Sequence, residues 1–287
     1  MKIAVFGAEG QLGCEFVRHF VSCHVPVVGV GRKDCNIIDP EIVEKVLARE
    51  NPDVVINTAA FNQVDQAEDD PAVALAVNAE APRMLAEKCS LRKIRMVHFG
   101  TDYVFDGQKG APYIESDPAR PLSVYGSSKL SGERNVLTTS PDHLVFRVSW
   151  VTGSGQQNFL FKLREWMARQ DVVRVADDEV SVPTFAFRIV RVVHQALQKG
   201  LGGLFHLTNA GTASRYDWAR EYLRLSGFSV DKVVPAKRAA FALRASRPGY
   251  SVMSSQALCE GLSITIPDWR EDLKRYVEGR LGEKEML

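Results

Sequence analysis

The sequence predicts an α/β fold, a doubly wound parallel sheet with a smaller, discontinuous C-terminal lobe, and three observations predict it. First, short runs rich in valine and isoleucine recur at Ile3–Phe6, Val25–Val30, Val54–Ile56, Met96–Phe99 and Val145–Val148. Each is apolar on consecutive positions, the pattern of a strand buried on both faces. Second, helical patterns with start signals lie between the runs. Asp39-Pro40-Glu41 gives an N-cap acid, a proline at the first helical position and an acid in the first turn. Asp70-Pro71 opens another helix, running through Ala74, Leu75 and Met84 toward Cys89. Strand then helix, repeated, calls for right-handed crossovers.

Third, the rhythm changes near residue 150. Polar and glycine loops, Gly153-Ser154-Gly155-Gln156-Gln157 and Asp177-Asp178-Glu179, separate helical patterns at about 157–169, 184–198, 214–226 and 267–279. One domain is therefore drawn over 1–150 plus about 184–206, and the second lobe over about 151–183 plus 207–287. The cleft between them is the default ligand site.

Composition bounds the function. With 287 residues, 45% hydrophobic and 25% charged, the chain can bury a core without disulfides or metal. A formal net charge of +1 supplies no global field to recruit nucleic acid or an anionic membrane. No apolar run approaches the roughly 18 residues of a membrane span, and no signal peptide is read at the start. The five cysteines are odd in number and lack a C-x-x-C pair, as expected of reduced thiols in a cytoplasmic protein. The six histidines show no H-x-x-x-H or H-E-x-x-H spacing, so no metal site is expected. A symmetric homodimer is the default assembly for such a chain.

The first strand runs into Gly7-Ala8-Glu9-Gly10-Gln11-Leu12-Gly13, a G-x-x-G-x-x-G turn with a helix starting at Gln11. Glycines there allow a tight turn and close backbone approach to a pyrophosphate, which the helix N-terminus attracts. Gly7, Gly10, Gln11, Leu12 and Gly13 are the expected contacts of a Rossmann-like dinucleotide site. An NAD-selective site carries an acid at the end of the second strand; here Gly31-Arg32-Lys33 stands instead. A guanidinium there suits a 2′-phosphate, so Arg32 favours NADPH, with NADH as the alternative.

Tyr125-Gly126-Ser127-Ser128-Lys129 contains Y-x-x-x-K, which places phenol and ammonium on one helix face. A neighbouring ammonium is expected to lower the phenol pKa from near 10 toward the range of a useful proton donor. Thr101 ends the fourth apolar run, at the carboxyl edge of the sheet where open α/β folds bind ligands.

Gly7, Gly10 and Gly13, with Thr101, Tyr125 and Lys129, resemble the extended short-chain dehydrogenase/reductases. Longer stretches resemble the branch that reduces dTDP-linked 4-keto-6-deoxy sugars. These include Asn57-Thr58-Ala59-Ala60-Phe61, Val64-Asp65-Gln66-Ala67-Glu68 and Thr101-Asp102-Tyr103-Val104-Phe105-Asp106-Gly107. Arg147-Val148-Ser149-Trp150-Val151 and Ala245-Ser246-Arg247-Pro248-Gly249 complete them. The resemblance implies hydride transfer from NADPH to the C4 ketone, as in dTDP-4-dehydrorhamnose to dTDP-L-rhamnose. It makes Tyr125 the proton donor, Thr101 its helper at the same oxygen, and Lys129 the holder of the nicotinamide ribose. It adds Ala59, Ala60, Phe61 and Asp39 to the cofactor contacts, puts Asn78 near the adenine side, and sets Asn62, Asp102 and Val104 against the substrate.

Trp150 is expected to stack on a sugar or base and Arg247 to pair with a diphosphate. The chain departs from the branch at Thr152, Glu179, Ser181 and Tyr250, and a buried Glu179 near a diphosphate would repel it. The rival readings are a related 4-ketoreductase or epimerase, and a non-catalytic NADP-binding subunit like the regulatory partner of methionine adenosyltransferase.

Overall fold

A computed structural model describes residues 1–279, so the last eight residues of the expected second lobe lie outside the described ones. β1 (Ile3–Phe6), α1 (Gln11–Ser22), β2 (Val27–Val30), α2 (Pro40–Glu50) and β3 (Val54–Asn57) alternate as the apolar runs require. β2 starts at Val27 and not at Val25 because Pro26 has no N–H for the ladder; its carbonyl instead accepts from Ile3 N. α3 (Val64–Asp69) and α4 (Pro71–Leu75) follow. The helix expected from Asp70 to Cys89 is interrupted by a π-helical segment, Ala76–Glu80, before α5 (Ala81–Leu91). β4 (Arg95–Thr101), α6 (Val124–Thr139) and β5 (Leu144–Val148) complete the first half.

The second half mixes two-residue strands with helices. It comprises β6 (Val151–Thr152), α7 (Phe159–Arg169), β7 (Val173–Ala176), β8 (Val180–Ser181), β9 (Thr184–Phe185), α8 (Ala186–Lys199) and β10 (Gly203–His206). α9 (Arg215–Leu225), α10 (Gln256–Leu262) and α11 (Trp269–Val277) end the described chain. Capping sets several boundaries. Asp39 accepts from the Glu41 and Ile42 N–H groups at the start of α2. Ser123 accepts from Gly126 N at the start of α6, and Ser214 and Asp217 form a capping box on α9.

Six parallel strands form the central sheet in the order β10-β5-β4-β3-β1-β2. The winding direction reverses at β1 and β3, which opens a crevice at their carboxyl ends. One face is covered by Phe16 and Phe20 of α1 with Ile189 and Val193 of α8. Val43 and Leu47 of α2 with Leu85 of α5 cover the other. A separate apolar cluster gathers Trp150, Leu163, Phe185, Trp218 and Trp269 around α7, α9 and α11. No described helix is long and apolar enough to cross a membrane.

α8 of the sheet layer is joined to α11 by a fully buried ion pair. Arg188 Nε and Nη2 each donate to the Asp272 carboxylate at 2.9 Å, and Asn209 Nδ2 donates to the same group at 2.6 Å. Removing one partner leaves a buried uncompensated charge. Asp272→Ala is expected to cost about 3–5 kcal/mol of stability, read as a lower urea unfolding midpoint.

Candidate active site

The glycine turn is shaped by backbone crowding. Gly7 has φ +77, and a Cβ there would lie 2.6 Å from Ala59 N. A Cβ at Gly13 would lie 2.2 Å from the Gly7 carbonyl oxygen. Neither glycine faces the cavity; both let the backbone fold tightly enough for α1 to begin beside β1. Gly10 caps α1 with no side-chain hydrogen bond and no acid follows in the first turn, so the amides there lack a side-chain acceptor. Gly10, Gln11 and Leu12 line a cavity of about 860 Å³ at the carboxyl edge of the sheet. Gln11 is fixed across it, donating to the Val151 carbonyl and accepting from Asn158 Nδ2, each at 2.9 Å.

The end of β2 differs from the expected picture. The acid missing from the strand is supplied by the glycine turn: a Cβ on Gly31 would lie 2.8 Å from the Glu9 carboxyl carbon. Arg32 N donates to Glu9 Oε2 at 3.4 Å. Arg32 is exposed beside this carboxylate and does not line the cavity. Sequence spacing alone misses Glu9, because the search for an acid looks past the second strand and not inside the turn. Asp39 is also absent from the cavity wall; its carboxylate caps α2.

After β3, Ala59, Ala60 and Asn62 line the cavity, whereas Phe61 does not. Asn78 clamps Phe61 from the π-helical segment: its Oδ1 accepts from Phe61 N at 2.8 Å and its Nδ2 donates to Phe61 O at 3.0 Å. The same Nδ2 donates to Ser128 Oγ at 3.0 Å, tying this loop to α6. The π turn thus aims a buried amide at two backbone groups and a neighbouring helix, which is a positioning task.

Thr101, Asp102, Tyr125 and Lys129 meet on the same wall. Burial pushes the Tyr125 phenol up to about 12, with a hydrogen bond to Thr101 pulling it partly back and the Asp102 carboxylate adding to the rise. The lowering expected from Lys129 is not what this arrangement produces. The Lys129 ammonium donates to the Phe99 carbonyl oxygen. Burial brings Lys129 itself down to about 8, against the attraction of Glu133. Desolvation outweighs the Thr101 hydrogen bond at Tyr125 and the Glu133 attraction at Lys129. Burial likewise raises Asp102 to about 6, although Ser181 Oγ and Ser251 Oγ donate to its carboxylate at 2.8 Å and 2.5 Å.

The far end of the cavity carries Trp150 and Arg247. Trp150, with φ 41, stacks nearly parallel to Trp218 at 5.6 Å, and the Arg215 guanidinium sits 3.6 Å from the centre of its ring. One indole face is therefore already taken, which corrects the expectation of a bare stacking platform. Its Nε1–H has no partner among the described residues. Arg247 is paired bidentately with Asp65 at 2.7 Å and 3.0 Å, and this hydrogen bonding holds the Asp65 carboxyl below its ordinary range. Val104 is fully buried with Phe105, Tyr113 and Leu130, because the 3-10 turn after β4 rotates it into a small core and out of the cavity. Glu179 is not an isolated charge: Arg215 lies 3.4 Å away and the Tyr103 hydroxyl donates to it at 3.4 Å. Arg215 gave no motif signal in the sequence.

The fold and cleft are those of the extended short-chain dehydrogenase/reductases, a class of nicotinamide-dependent oxidoreductases. The chain belongs to the RmlD substrate binding domain family, whose model matches residues 1–281. It is 36% identical over 286 residues to the dTDP-4-dehydrorhamnose reductase of Burkholderia thailandensis, covering 94% of this chain and 96% of that one. It is 37% identical over 278 residues to a probable dTDP-4,6-dihydroxy-2-methyloxan-3-one 4-ketoreductase of Streptomyces antibioticus, covering 96% and 94%. A dTDP-4-dehydrorhamnose reductase of Bacillus anthracis, solved in complex with NADP, superposes with a TM-score of 0.93. That match has 27% identity and covers 97% of this chain and all (100%) of that one.

The buried Lys129 makes a stability prediction with a defined sign. Its folded pKa lies below the unfolded value, so the unfolded chain binds more protons between about pH 8 and 10.5 and stability rises across that window. Lys129→Met is expected to be the more stable protein at pH 7 by about 1–3 kcal/mol. Urea midpoints at pH 7 and pH 10 check this: the difference between the two proteins should shrink at the higher pH.

Proposed function

We propose that this chain uses NADPH to reduce the C4 ketone of a dTDP-linked 4-keto-6-deoxyhexose, dTDP-4-dehydrorhamnose to dTDP-L-rhamnose being the favoured pair. One observation carries the reading. A single cavity is lined by the start of α1 (Gly10, Gln11, Leu12), by Thr101, Tyr125 and Lys129, and by Trp150 and Arg247. The names of the relatives agree with it. The residues fit a dinucleotide: tight backbone packing at Gly7 and Gly13 brings the start of α1 to the cavity, and α1 presents amides there with no side-chain cap. We assign this ligand to residues 1–150 with about 184–206, and the sugar nucleotide mainly to the rest.

The reduced nicotinamide, when bound, supplies the hydride. Tyr125 supplies the proton, from its phenol oxygen to the oxygen of the developing alkoxide. A phenol held near 12 is fully protonated at neutral pH, the state a reduction requires of its acid. Thr101 hydrogen-bonds the same substrate oxygen and, being joined to Tyr125, aligns the donor. Lys129 offers its ammonium to the nicotinamide ribose and to the phenolate left after transfer. Asp102, fixed by Ser181 and Ser251, and the indole N–H of Trp150 face the sugar as acceptor and donor. Arg247, already shared with Asp65, gives the diphosphate a hydrogen bond and a reduced net charge. Pairing with Arg215 removes the repulsion expected from Glu179.

At the adenosine end, Glu9 and Arg32 pull in opposite directions. The carboxylate suits ribose hydroxyls and NADH, and the guanidinium suits the 2′-phosphate of NADPH. Glu9→Gln is expected to raise the NADPH/NADH ratio of kcat/KM by roughly tenfold, the effect of about 1.4 kcal/mol.

The Streptomyces antibioticus relative favours one second reading, another sugar-nucleotide 4-ketoreductase with the same chemistry. Incubating the purified protein with NADPH and a panel of dTDP-4-keto-6-deoxyhexoses, and following loss of nicotinamide absorbance, separates the two by which sugar turns over. Tyr125→Phe should cut kcat by at least about 10²-fold while dinucleotide binding persists. Tight NADPH binding with no turnover on any keto-sugar overturns the enzymatic reading in favour of a binding subunit.

A further inference from the structure

Away from the cleft, the C-terminal end of α1 meets α8, and three ligating side chains converge there. His19 stands in the last turn of α1, and Cys23 is the residue that caps it. Four positions apart, they share one face of the helix. His194 arrives from α8, with its Nδ1 3.0 Å from His19 Nε2. Cys23 Sγ lies 3.8 Å from the same His19 nitrogen, and the three ligand atoms all fall within 4.8 Å of one another.

We propose that His19, Cys23 and His194 form a site for a divalent transition metal, zinc by its ligand set, which fastens the end of α1 to α8. Two imidazole nitrogens and a thiolate are the donors that borderline-soft metals prefer, and calcium or magnesium would not choose them. Tetrahedral zinc at ordinary bond lengths separates two nitrogens by about 3.3 Å and a nitrogen from a sulfur by about 3.6 Å. The observed 3.0 Å and 3.8 Å bracket those edges. Cys23 is exposed, so a rotation about its χ1 closes the remaining edge without moving backbone. A solvent water completes the coordination.

The Gln198 amide nitrogen lies 3.3 Å from His194 Nε2; metal binding at Nδ1 moves the ring proton to Nε2, and the exposed amide then turns its oxygen to accept it. Nearby, Arg191 acts on His19, while Glu15 pairs with Arg18 and attracts Arg191, so one carboxylate stands between two guanidiniums. Binding then forms a metal–sulfur bond and releases one proton, from the Cys23 thiol; the imidazole protons only change nitrogen. The H-x-x-x-H spacing rule overlooks this site because one ligand is cysteine and the third is 175 positions away.

The test titrates untagged full-length protein with Co(II), then displaces it with Zn(II). One equivalent should bind, with tetrahedral visible bands and a thiolate-to-cobalt charge-transfer band in the near ultraviolet. Cys23→Ser should lose the charge-transfer band, and His194→Gln should weaken binding by at least the roughly tenfold that follows loss of a supporting ligand. His24→Asn, at a neighbouring exposed histidine outside the trio, should bind as the parent does. Zinc should raise Tm relative to EDTA in the parent and in His24→Asn, but not in His194→Gln. Octahedral spectra, millimolar-only binding, or equal affinity in His194→Gln and the parent overturns the site and leaves a plain histidine–histidine hydrogen bond.

Discussion

Every part of the cleft depends on six strands running the same way. Parallel pairing sends all their carboxyl ends to one edge, and the reversal of winding at β1 and β3 leaves a crevice there. The glycine turn after β1, the alanine loop after β3, Thr101 at the end of β4 and Trp150 beyond β5 are separated widely along the chain. They share one wall because each follows a strand of the same sheet. α6 adds Tyr125 and Lys129 to that wall. Asn78 and Ser128 tie it to the β3 loop, and Lys129 ties it to the Phe99 carbonyl of β4.

The second theme is buried charge. Glu133 sits between Arg147, which grips it bidentately, and Lys129 one turn earlier on α6. Glu179 is matched by Arg215, and Arg247 by Asp65. Pairing within the protein keeps each ion from standing alone in a medium where isolation costs several kcal/mol. It also tempers the field in the cleft. Among the described residues that line the cavity, the charged groups are Asp65, Asp102, Lys129, Lys162 and Arg247, a nearly balanced set.

Much of the fold was legible in the sequence, because a strand buried on both faces must be apolar at every position and a helix must declare its start. The five early strands and the four later helices follow from those two rules, with edges moved by a residue or two where Pro26 or a cap intervenes. The sixth strand, β10, carries no such signature, since Gly203-Leu204-Phe205-His206 is short and begins with glycine. In the cleft, Gly10, Thr101, Tyr125 and Lys129 were legible because their chemistry fixes their local spacing. Glu9, Arg215 and the displacement of Val104 were not, because each depends on how a side chain turns once a distant element is packed beside it.

By itself, then, the order of residues determined the layer architecture, the glycine turn and the phenol–ammonium pair on one helix face. All three are set by interactions between near neighbours or by the demand to bury apolar side chains. Only the tertiary structure decided the electrostatics: that burial and not Lys129 governs Tyr125, that Glu9 carries the acid to the end of β2, and that Arg215 covers Trp150. Charge and desolvation act through space with no fixed offset along the chain, so their outcome exists only once the elements are packed.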